Sequence, residues 1–368
     1  MLYIHQRLSW PEFFWDHKAI SDLLASVRHR QGRLLGRMES LGFALQDEAV
    51  LHTLTLDVLK SHEIEGEFLN TDQVRSSIAR KLGIDIGALP PADRYVEGVV
   101  EMLMDATQRY NDPLTEERLF GWHAALFPTG RSGMSTLTVG NWREGTTGPM
   151  QVVSGAMGRE IVHFEAPASE RVPQEMSRFI QWFNQPDAYD PVIKAAVAHV
   201  WFVTIHPFDD GNGRIARSIT DMQLARSDGS PQRFYSMSAQ IQTERSRYYA
   251  ILEKTQRRDL DITEWLHWFL TCLEKALMAT EYALASVLDK ARYWTLFAEK
   301  SINNRQNLML NKLLDGFTGN LTTSKWAKIT KVSADTALRD IQNLVEQEVL
   351  VKKEAGGRST QYRLVELD

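Results

Sequence analysis

One apolar run limits the fold of this chain more than any other segment. It is PVIKAAVAHVWFVTI, residues 191–205, and HPFDDGNGRIAR follows it directly. A helix with this sequence is apolar on nearly all sides, which is typical of a helix buried in the centre of a bundle. Pro207 has no amide hydrogen and keeps His206 out of helical angles, so the helix is expected to end there. The sequence therefore predicts a mainly α-helical protein with a polar segment at the end of a central helix.

Most other long segments also have helical periodicity, including residues 47–62 and 262–280. The exception lies between Pro149 and Pro167. There the stretches MQVV and IVHF alternate around the turn sequence SGAMGRE. This pattern predicts a lone β-hairpin in a helical protein.

Composition excludes several classes of protein. The chain has 368 residues and a net charge of −5, too small for a general attraction to nucleic acid or to an anionic membrane. Its one cysteine, Cys272, cannot form an internal disulfide, and its apolar neighbours predict a buried side chain. The N-terminus has no uninterrupted apolar core, and no window has the length of a membrane-spanning helix. We therefore expect a soluble cytoplasmic protein without a membrane partner.

Turn-rich stretches suggest three domains. The run GIDIGALPPADR, residues 83–94, interrupts the helical pattern and predicts a boundary near residue 90. The chain changes character again after Ala285, where we expect a helix through about Leu314. The pieces TTSKWAKIT, VSADTALRDIQNLVEQEVL and VKKEAGGRSTQYRLV then predict two helices and a hairpin, the order of a winged helix. The predicted domains are residues 1–90, 91–285 and 286–368.

The polar segment has the features of a phosphate-binding site. Gly211, Asn212 and Gly213 can bring backbone amides to an anion at the start of the next helix, whose dipole favours negative charge. Arg214 and Arg217 lie three residues apart and share one face of that helix. Their forked donors suit phosphate oxygens.

Two further side chains of the segment indicate a reaction. A carboxylate beside a phosphate site would repel the ligand unless a divalent cation lies between them, so Asp210 is best explained as a ligand of Mg²⁺. His206 is the group in the segment that can take a proton near neutral pH, and we expect it to be a general base for an attacking hydroxyl.

Three alternatives for the segment remain open. Gly211-x-Gly213-x-x-Ala216 fits a dinucleotide-binding fingerprint, although a helix precedes it and no acidic residue follows about 20 positions later. His206 and Asp210 could bind a transition metal, although no second histidine–carboxylate cluster completes the ligand set. The segment could also be a polar turn without a ligand, which does not explain two arginines crowded with two carboxylates.

The segment resembles a known family. HPFDDGNGRIAR matches the Fic pattern HPFx(D/E)GNGRxxR at every defined position. The resemblance implies a helical Fic core with a β-hairpin flap and the transfer of AMP from ATP to a protein hydroxyl. By resemblance, His206 deprotonates the target Ser, Thr or Tyr, and Asp210 holds Mg²⁺. The residues implied to bind the phosphates are Gly211, Asn212, Gly213 and Arg214, with Arg217 at the γ-phosphate.

The resemblance extends on both sides of the segment. Residues 150–164 occupy the position of the flap, where a target peptide is expected to add a strand to the exposed edge. Tyr248 and Tyr249 occur where the family has tyrosines that line the adenine pocket. Core packing is the alternative for both tyrosines.

An upstream stretch resembles the inhibitory motif of the family. SHEIEG, residues 61–66, fits [S/T]xxxE[G/N] and lies N-terminal to the core, within a region that resembles the helical domain preceding many bacterial Fic cores. By resemblance, Ser61 and Glu65 are inhibitory, with Glu65 directed at Arg217 and Ser61 steadying the Glu65 side chain. The alternative is a solvated helix end with Gly66 as its cap.

Three functions remain open at this point. The chain is expected to be a self-inhibited protein adenylyltransferase, but Glu65 could also position water for the removal of AMP. It could instead be a DNA-binding regulator with a secondary Fic core. Residues 321–368 carry eight Lys or Arg against seven Asp or Glu, which is poor electrostatics for DNA. The expected partners are ATP and a protein with a target hydroxyl, with a second copy of the chain and DNA as further candidates.

Overall fold

The computed structural model describes residues 2–39, 43–85, 91–145, 148–154, 161–186, 189–297, 300–314, 317, 319–353 and 360–365. The described chain is mainly α-helical with short β-hairpins, which confirms the predicted fold class. The helices are α1 (His17–Glu39), α2 (Phe43–Ile64), α3 (Thr71–Leu82), α4 (Arg94–Gln108), α5 (Glu116–Leu126), α6 (Val172–Asn184), α7 (Pro191–Ile205), α8 (Asn212–Asp228), α9 (Met237–Thr243), α10 (Arg245–Gln256), α11 (Thr263–Phe297), α12 (Asn304–Leu314), α13 (Thr323–Thr330) and α14 (Ala334–Glu346).

The strands form three separate antiparallel pairs among the described residues. They are β1 (Arg131–Ser132) with β2 (Ser135–Thr136), β3 (Gln151–Ser154) with β4 (Ile161–Glu165), and β5 (Leu350–Lys352) with β6 (Tyr362–Leu364). The β3–β4 pair is the predicted hairpin, and most of its turn lies outside the described residues. The expectation of a lone hairpin before the C-terminal region was wrong. The β1–β2 pair is only two residues long in each strand, too short to leave an alternating pattern in the sequence.

The chain divides into two compact units, Met1–Ala279 and Thr280–Asp368. The predicted boundary near residue 90 falls on residues 86–90, which lie outside the described residues. The three-domain division stays a prediction.

Helix α7 is the centre of the first unit. Asp190 caps its start by accepting a hydrogen bond from the Val192 amide at 2.8 Å, and Pro191 occupies the first turn. Every residue from Val192 to Ile205 is buried, and the helix packs along α8. The helix ends at Ile205, as the following proline predicts. This packing fixes the position of the polar segment that connects α7 to α8.

Helix α2 is anchored to the first unit through a long apolar stripe. Leu51, Leu54, Val58 and Ile64 are all at most 2% exposed. Burying each of them contributes about 1.5–3 kcal/mol relative to leaving it in water. The C-terminal end of α2 is therefore held at a fixed place relative to α8, which it contacts.

A polar contact lies on the same helix. Asp57 is 1% exposed and accepts a hydrogen bond from the Ser236 hydroxyl at 2.5 Å. Burial raises the pKa of Asp57 well above its usual range, and the nearby carboxylate of Asp221 raises it further. Asp221 in turn pairs with the buried Arg233 at 3.2 Å. This network fixes the docking of α2 through hydrogen bonds as well as through apolar contacts.

The second unit differs from the expectation at its start. The predicted helix through Leu314 is not continuous, because α11 ends at Phe297 and α12 begins at Asn304. The side chain of Asn303 accepts hydrogen bonds from the amides of Arg305 and Gln306 at 3.0 Å each, which is the geometry of a helix start. The local cap thus determines where α12 begins.

The remaining elements of this unit are α13, α14 and the β5–β6 pair, around a core that includes Trp326, Ile341 and Leu344. The winged-helix assignment stays a prediction, and so do the expected second copy and DNA as partners. Asp340, one of the acidic residues that argue against DNA, is buried and pairs with Arg305 at 2.8 Å. It therefore says little about the outer surface of α14.

No helix in the described part of the chain combines the length and the apolar character that crossing a bilayer needs. Cys272 is a buried free cysteine, as predicted.

Candidate active site

His206 lies at the junction between α7 and the polar segment. Its backbone has φ of 52°, a left-handed conformation that is uncommon for a residue with a side chain. Its carbonyl oxygen accepts a hydrogen bond from Arg143 Nε at 2.7 Å. The backbone conformation and the Arg143 contact together hold the imidazole in one place.

The protonation of His206 follows from its surroundings. Burial is the largest effect and lowers its pKa from 6.5 to about 4. Nδ1 lies 3.3 Å from the carbonyl oxygen of Val203, which can only accept, so a hydrogen bond there requires the proton on Nδ1. Nε2 is then left without a proton at neutral pH. The imidazole is in the form that accepts a proton.

The loop before α8 is closed by Asn212. Its side chain accepts a hydrogen bond from the Phe208 amide at 3.0 Å and donates one to the Phe208 carbonyl at 2.8 Å. The Asn212 side chain is therefore used inside the loop, and its backbone amide is the part that could meet an anion. Gly211, at φ of 82°, has the conformation that glycine adopts most easily, and it lies against Phe127.

Arg217 meets the C-terminal end of α2. Its Nη2 donates to Glu65 Oε1 at 2.8 Å and to the Ser61 carbonyl at 2.8 Å, while its Nε donates to Ser61 Oγ at 2.8 Å. The structure thus brings together Ser61, Glu65 and Arg217, three residues singled out in the sequence. Ser61 differs from the expectation, because its hydroxyl contacts Arg217 instead of Glu65.

Glu65 is ionised in this arrangement. Burial alone would raise its pKa, but the charge of Arg217 and the hydrogen bond from it outweigh burial and lower the pKa below its usual value. The carboxylate also lies against Gly213, where an added Cβ would be 2.3 Å from Glu65 Oε1 and 3.2 Å from Arg217 Nη1. The absence of a side chain at Gly213 is what leaves room for an anion beside Arg217.

Arg214 has partners that the sequence did not reveal. Its Nη1 donates to Glu67 Oε2 at 2.8 Å and to the Tyr95 hydroxyl at 3.0 Å, and Tyr95 donates to the same Glu67 oxygen at 2.5 Å. The guanidinium also lies 5.1 Å from the centre of the Phe127 ring. Glu67 directly follows the stretch SHEIEG, and Tyr95 is the second residue of α4, so no fixed spacing connects either residue with Arg214.

Each of the two arginines has one side-chain nitrogen that donates no hydrogen bond to the described residues. Arg214 Nε and Arg217 Nη1 are buried and have no hydrogen-bond partner within the described part of the chain. Buried donors of this kind are uncommon, because leaving one unpaired costs about 1–3 kcal/mol. A ligand with several acceptor oxygens would satisfy them.

Asp210 is the carboxylate that the sequence assigned to Mg²⁺. Its Oδ1 accepts from the Gly211 amide and its Oδ2 from the Ser132 hydroxyl, both at 2.6 Å, and its side chain is 40% exposed. The described residues contain no group of three or more His, Cys, Asp or Glu that could hold a metal. A single exposed carboxylate fits a Mg²⁺ ion that takes its other ligands from water and from substrate phosphates. Asp209, in contrast, accepts from the Thr138 amide at 2.8 Å and holds that loop.

The two tyrosines of α10 occupy different environments. Tyr248 is 2% exposed, and its hydroxyl is 2.8 Å from His199 Nε2 in the core. Tyr249 is more exposed, and its hydroxyl donates to Glu65 Oε2 at 3.1 Å. Tyr248 is therefore buried, and the charges of Arg217 and Glu65 act on its hydroxyl as well, whereas Tyr249 is the more accessible of the two. The assignment of both tyrosines to an adenine pocket stays a prediction.

The β3–β4 hairpin is fastened to α10. His163 Nδ1 lies 2.7 Å from Glu253 Oε2, and its Nε2 lies 2.6 Å from Ser154 Oγ across the pair. Arg257 donates to the carbonyls of Val162 and His163 at 2.7 and 2.9 Å. These contacts fix the hairpin relative to the helix that carries Tyr249.

Together the residues form a site for a polyanion next to a base. A neutral imidazole, two buried guanidiniums, a glycine beside Arg217 and the carboxylate of Asp210 meet at the start of α8. Such a site can orient a phosphate chain and accept a proton from a hydroxyl that attacks it. In this structure the carboxylates of Glu65 and Glu67, just beyond the end of α2, bind the two guanidiniums.

Comparison with known proteins agrees with this geometry. The sequence model described as the Fic/DOC family matches residues 113–224, and a domain of unknown function, DUF4172, matches residues 3–84. Protein adenylyltransferase fic-1 from Caenorhabditis briggsae is 28% identical over 210 residues, which are 56% of this chain and 38% of that protein. Protein adenylyltransferase Fic from Drosophila grimshawi is 36% identical over 104 residues, 28% of this chain and 20% of that protein. The chain thus spans well under half the length of these curated relatives.

A solved structure supports the fold. The crystal structure of a Fic family protein from Desulfovibrio desulfuricans G20 has a TM-score of 0.52 at 20% identity, over 96% of this chain and 98% of that chain. At this identity the likeness concerns the fold alone. The family model and the named relatives confirm the resemblance of the segment HPFDDGNGRIAR to the Fic family, and residues 113–224, which contain this segment, match the Fic/DOC domain.

Proposed function

We propose that this protein is an adenylyltransferase that transfers AMP from ATP to Ser, Thr or Tyr hydroxyls of proteins, including its own, and that Glu65 holds it inactive. The observation that carries the proposal is the pair of buried arginines beside Gly213, each with a donor in reserve. The names of the curated relatives support the same activity. The requirement for Mg²⁺ belongs to the proposal as well.

His206 supplies the base in this proposal. The hydroxyl oxygen of the target attacks the α-phosphorus of ATP, the bond from that phosphorus to the bridging oxygen breaks, and pyrophosphate leaves. Nε2 of His206 takes the hydroxyl proton as the new P–O bond forms. An imidazole with its pKa lowered to about 4 is neutral and ready for this role at pH 7.

The phosphates are bound by groups of α8. Arg214, Arg217 and the backbone amides from Gly211 to Gly213 would orient the phosphate chain so that the attacking oxygen is in line with the leaving group. Asp210 would hold Mg²⁺, which offsets phosphate charge when it is bound. Tyr249 would lie on the nucleotide side of α10, where its hydroxyl already faces the site.

Inhibition follows from competition for Arg217. The Glu65 carboxylate and the γ-phosphate need the same guanidinium, and a carboxylate 2.8 Å from Nη2 leaves no room for a phosphate oxygen there. ATP that enters beside Glu65 would have its phosphates displaced. A misplacement of about 1 Å can lower the rate about a hundredfold.

Parallel labelling with α- and γ-labelled ATP tests the activity. The Glu65→Gly variant is incubated with each form in the presence of Mg²⁺, and protein-bound label is measured. Label from the α-form alone is the expected result. Label from the γ-form would mean a kinase-like reaction, and no label from either form, on the protein itself or on a lysate of its host, would refute the proposal.

A further inference from the structure

We propose that Glu67 is a second inhibitory carboxylate, which competes with the nucleotide's phosphates for Arg214. Glu65 and Glu67, on either side of Gly66, would then cover both arginines of α8 together. This inference rests on the proposed function, because it takes Arg214 to be a phosphate-binding residue. It predicts that Glu67 weakens the binding of the phosphate chain itself.

The geometry places Glu67 directly on Arg214. Glu67 Oε2 accepts from Arg214 Nη1 at 2.8 Å and from the Tyr95 hydroxyl at 2.5 Å. Tyr95 also accepts from Arg214 at 3.0 Å, so the three side chains form a closed triangle. A carboxylate held by two donors at such distances is a strong, charge-assisted contact.

Competition explains this contact better than support of the arginine does. The Arg214 side chain is 2% exposed, whereas the Glu67 side chain is 40% exposed, so the carboxylate lies on the solvent side of the guanidinium. The ring of Phe127, whose centre is 5.1 Å from the guanidinium carbon, already packs against Arg214. Asp210 Oδ1 also lies 3.6 Å from Arg214 Nη2. Glu67 therefore covers the direction from which a ligand would come.

The charges of the site lead to the same conclusion. Three carboxylates, those of Glu65, Glu67 and Asp210, surround two guanidiniums. A triphosphate adds further negative charge to this cluster and must displace or repel a carboxylate at each arginine. Removing the Glu67 charge should therefore tighten the binding of any polyphosphate, with or without a nucleoside.

Nucleotide binding to the full chain tests the inference without relying on transfer. The Kd values of α,β-methylene-ATP, inorganic tripolyphosphate and adenosine are measured by calorimetry for the wild type, Glu67→Gln and Tyr95→Phe. Glu63→Gln is the matched control. It removes the same charge from the end of α2, where Glu63 pairs with Lys60 at 2.7 Å instead of with the site.

We expect Glu67→Gln to lower the Kd of tripolyphosphate and of the ATP analogue about tenfold, and to leave adenosine unchanged. Tyr95→Phe, which changes no charge, should lower the same two values less, because Glu67 loses one of its two donors. An equal change in Glu63→Gln, a change that includes adenosine, or weaker polyphosphate binding in folded Glu67→Gln would overturn the inference. Failure of the labelling experiment would instead concern transfer, since these Kd values do not depend on it.

Discussion

Replacing Glu65 should release the transfer activity by an amount that the contacts allow us to calculate. Glu65 Oε1 accepts one charge-assisted hydrogen bond from Arg217 at 2.8 Å, in a place where the side chain is 30% exposed. A hydrogen bond to a charged group contributes about 1.5–3 kcal/mol. At about 1.4 kcal/mol per factor of ten, its loss frees Arg217 for the γ-phosphate and raises the rate roughly 10- to 150-fold. Glu65→Gly and Glu65→Gln should both show the rise, and Glu65→Asp, one methylene shorter, should show part of it.

The assay compares initial rates of protein labelling from α-labelled ATP for these variants and for the wild type. The double variant Glu65→Gly with His206→Ala is the control, because label that persists in it does not come from the proposed reaction. Thermal unfolding of each variant ensures that folded proteins are compared. Equal labelling of the wild type and both Glu65 variants would refute the inhibitory role and leave a solvated helix end, for which a change of a few tenths of a kcal/mol in stability is expected.

The other predictions concern single residues. In the Glu65→Gly background, kcat/KM should rise as pH increases through about 4, where the His206 imidazole loses its proton, and stay level from about pH 6 to pH 8; a midpoint near 6.5 would contradict the lowered pKa. His206→Ala should reduce transfer by about 10²- to 10⁴-fold and leave the Kd of ATP unchanged, and near-normal transfer would exclude it as the base. Asp210→Ala should raise the Mg²⁺ concentration needed for half-maximal transfer, with partial rescue by added Mg²⁺, and an unchanged Mg²⁺ dependence would reopen the choice of ligand. Gly98→Ala should lower the free energy of unfolding by about 1–3 kcal/mol, because its Cβ would lie 2.2 Å from a backbone carbonyl of α5. Gly121→Ala on the exposed side of α5 has open space and should be neutral or slightly stabilising, and urea titrations of both variants measure the difference.

The elements that carry the site were predictable because each has a local cause. The apolar run of α7, the proline after His206 and the alternating residues of β3 and β4 each determine structure within a few residues. The proximity of Glu65 to Arg217 was predicted from the stretch SHEIEG, and the structure places the two side chains in contact. The inhibitory role stays a prediction. Their common feature is that the signal lies in one short segment.

The features that could not be predicted from the sequence depend on contacts between distant segments. Neighbouring residues of a helix point about 100° apart, so which of Tyr248 and Tyr249 faces the site is decided by how α10 docks. Glu67 and Arg214 are 147 residues apart along the chain. They meet only because α2, α4 and α8 converge. The break before α12 depends on the cap at Asn303. Asparagine is favoured in turns and loops as well as at helix starts, so the residue type alone does not predict a cap.

If Glu65 inhibits the protein as proposed, the apolar anchoring of α2 limits how that inhibition could be released. Lifting the whole helix from its place would expose four buried side chains, Leu51, Leu54, Val58 and Ile64, at about 1.5–3 kcal/mol each. With 1.4 kcal/mol per factor of ten, fewer than about one molecule in ten thousand would be in that state at equilibrium. Activation by undocking would therefore need a partner that binds the exposed helix with at least that free energy. Activation that only turns the residues beyond Ile64, around Gly66 at φ of 85°, would leave those four side chains buried and would have to break only the contacts of Glu65 and Glu67.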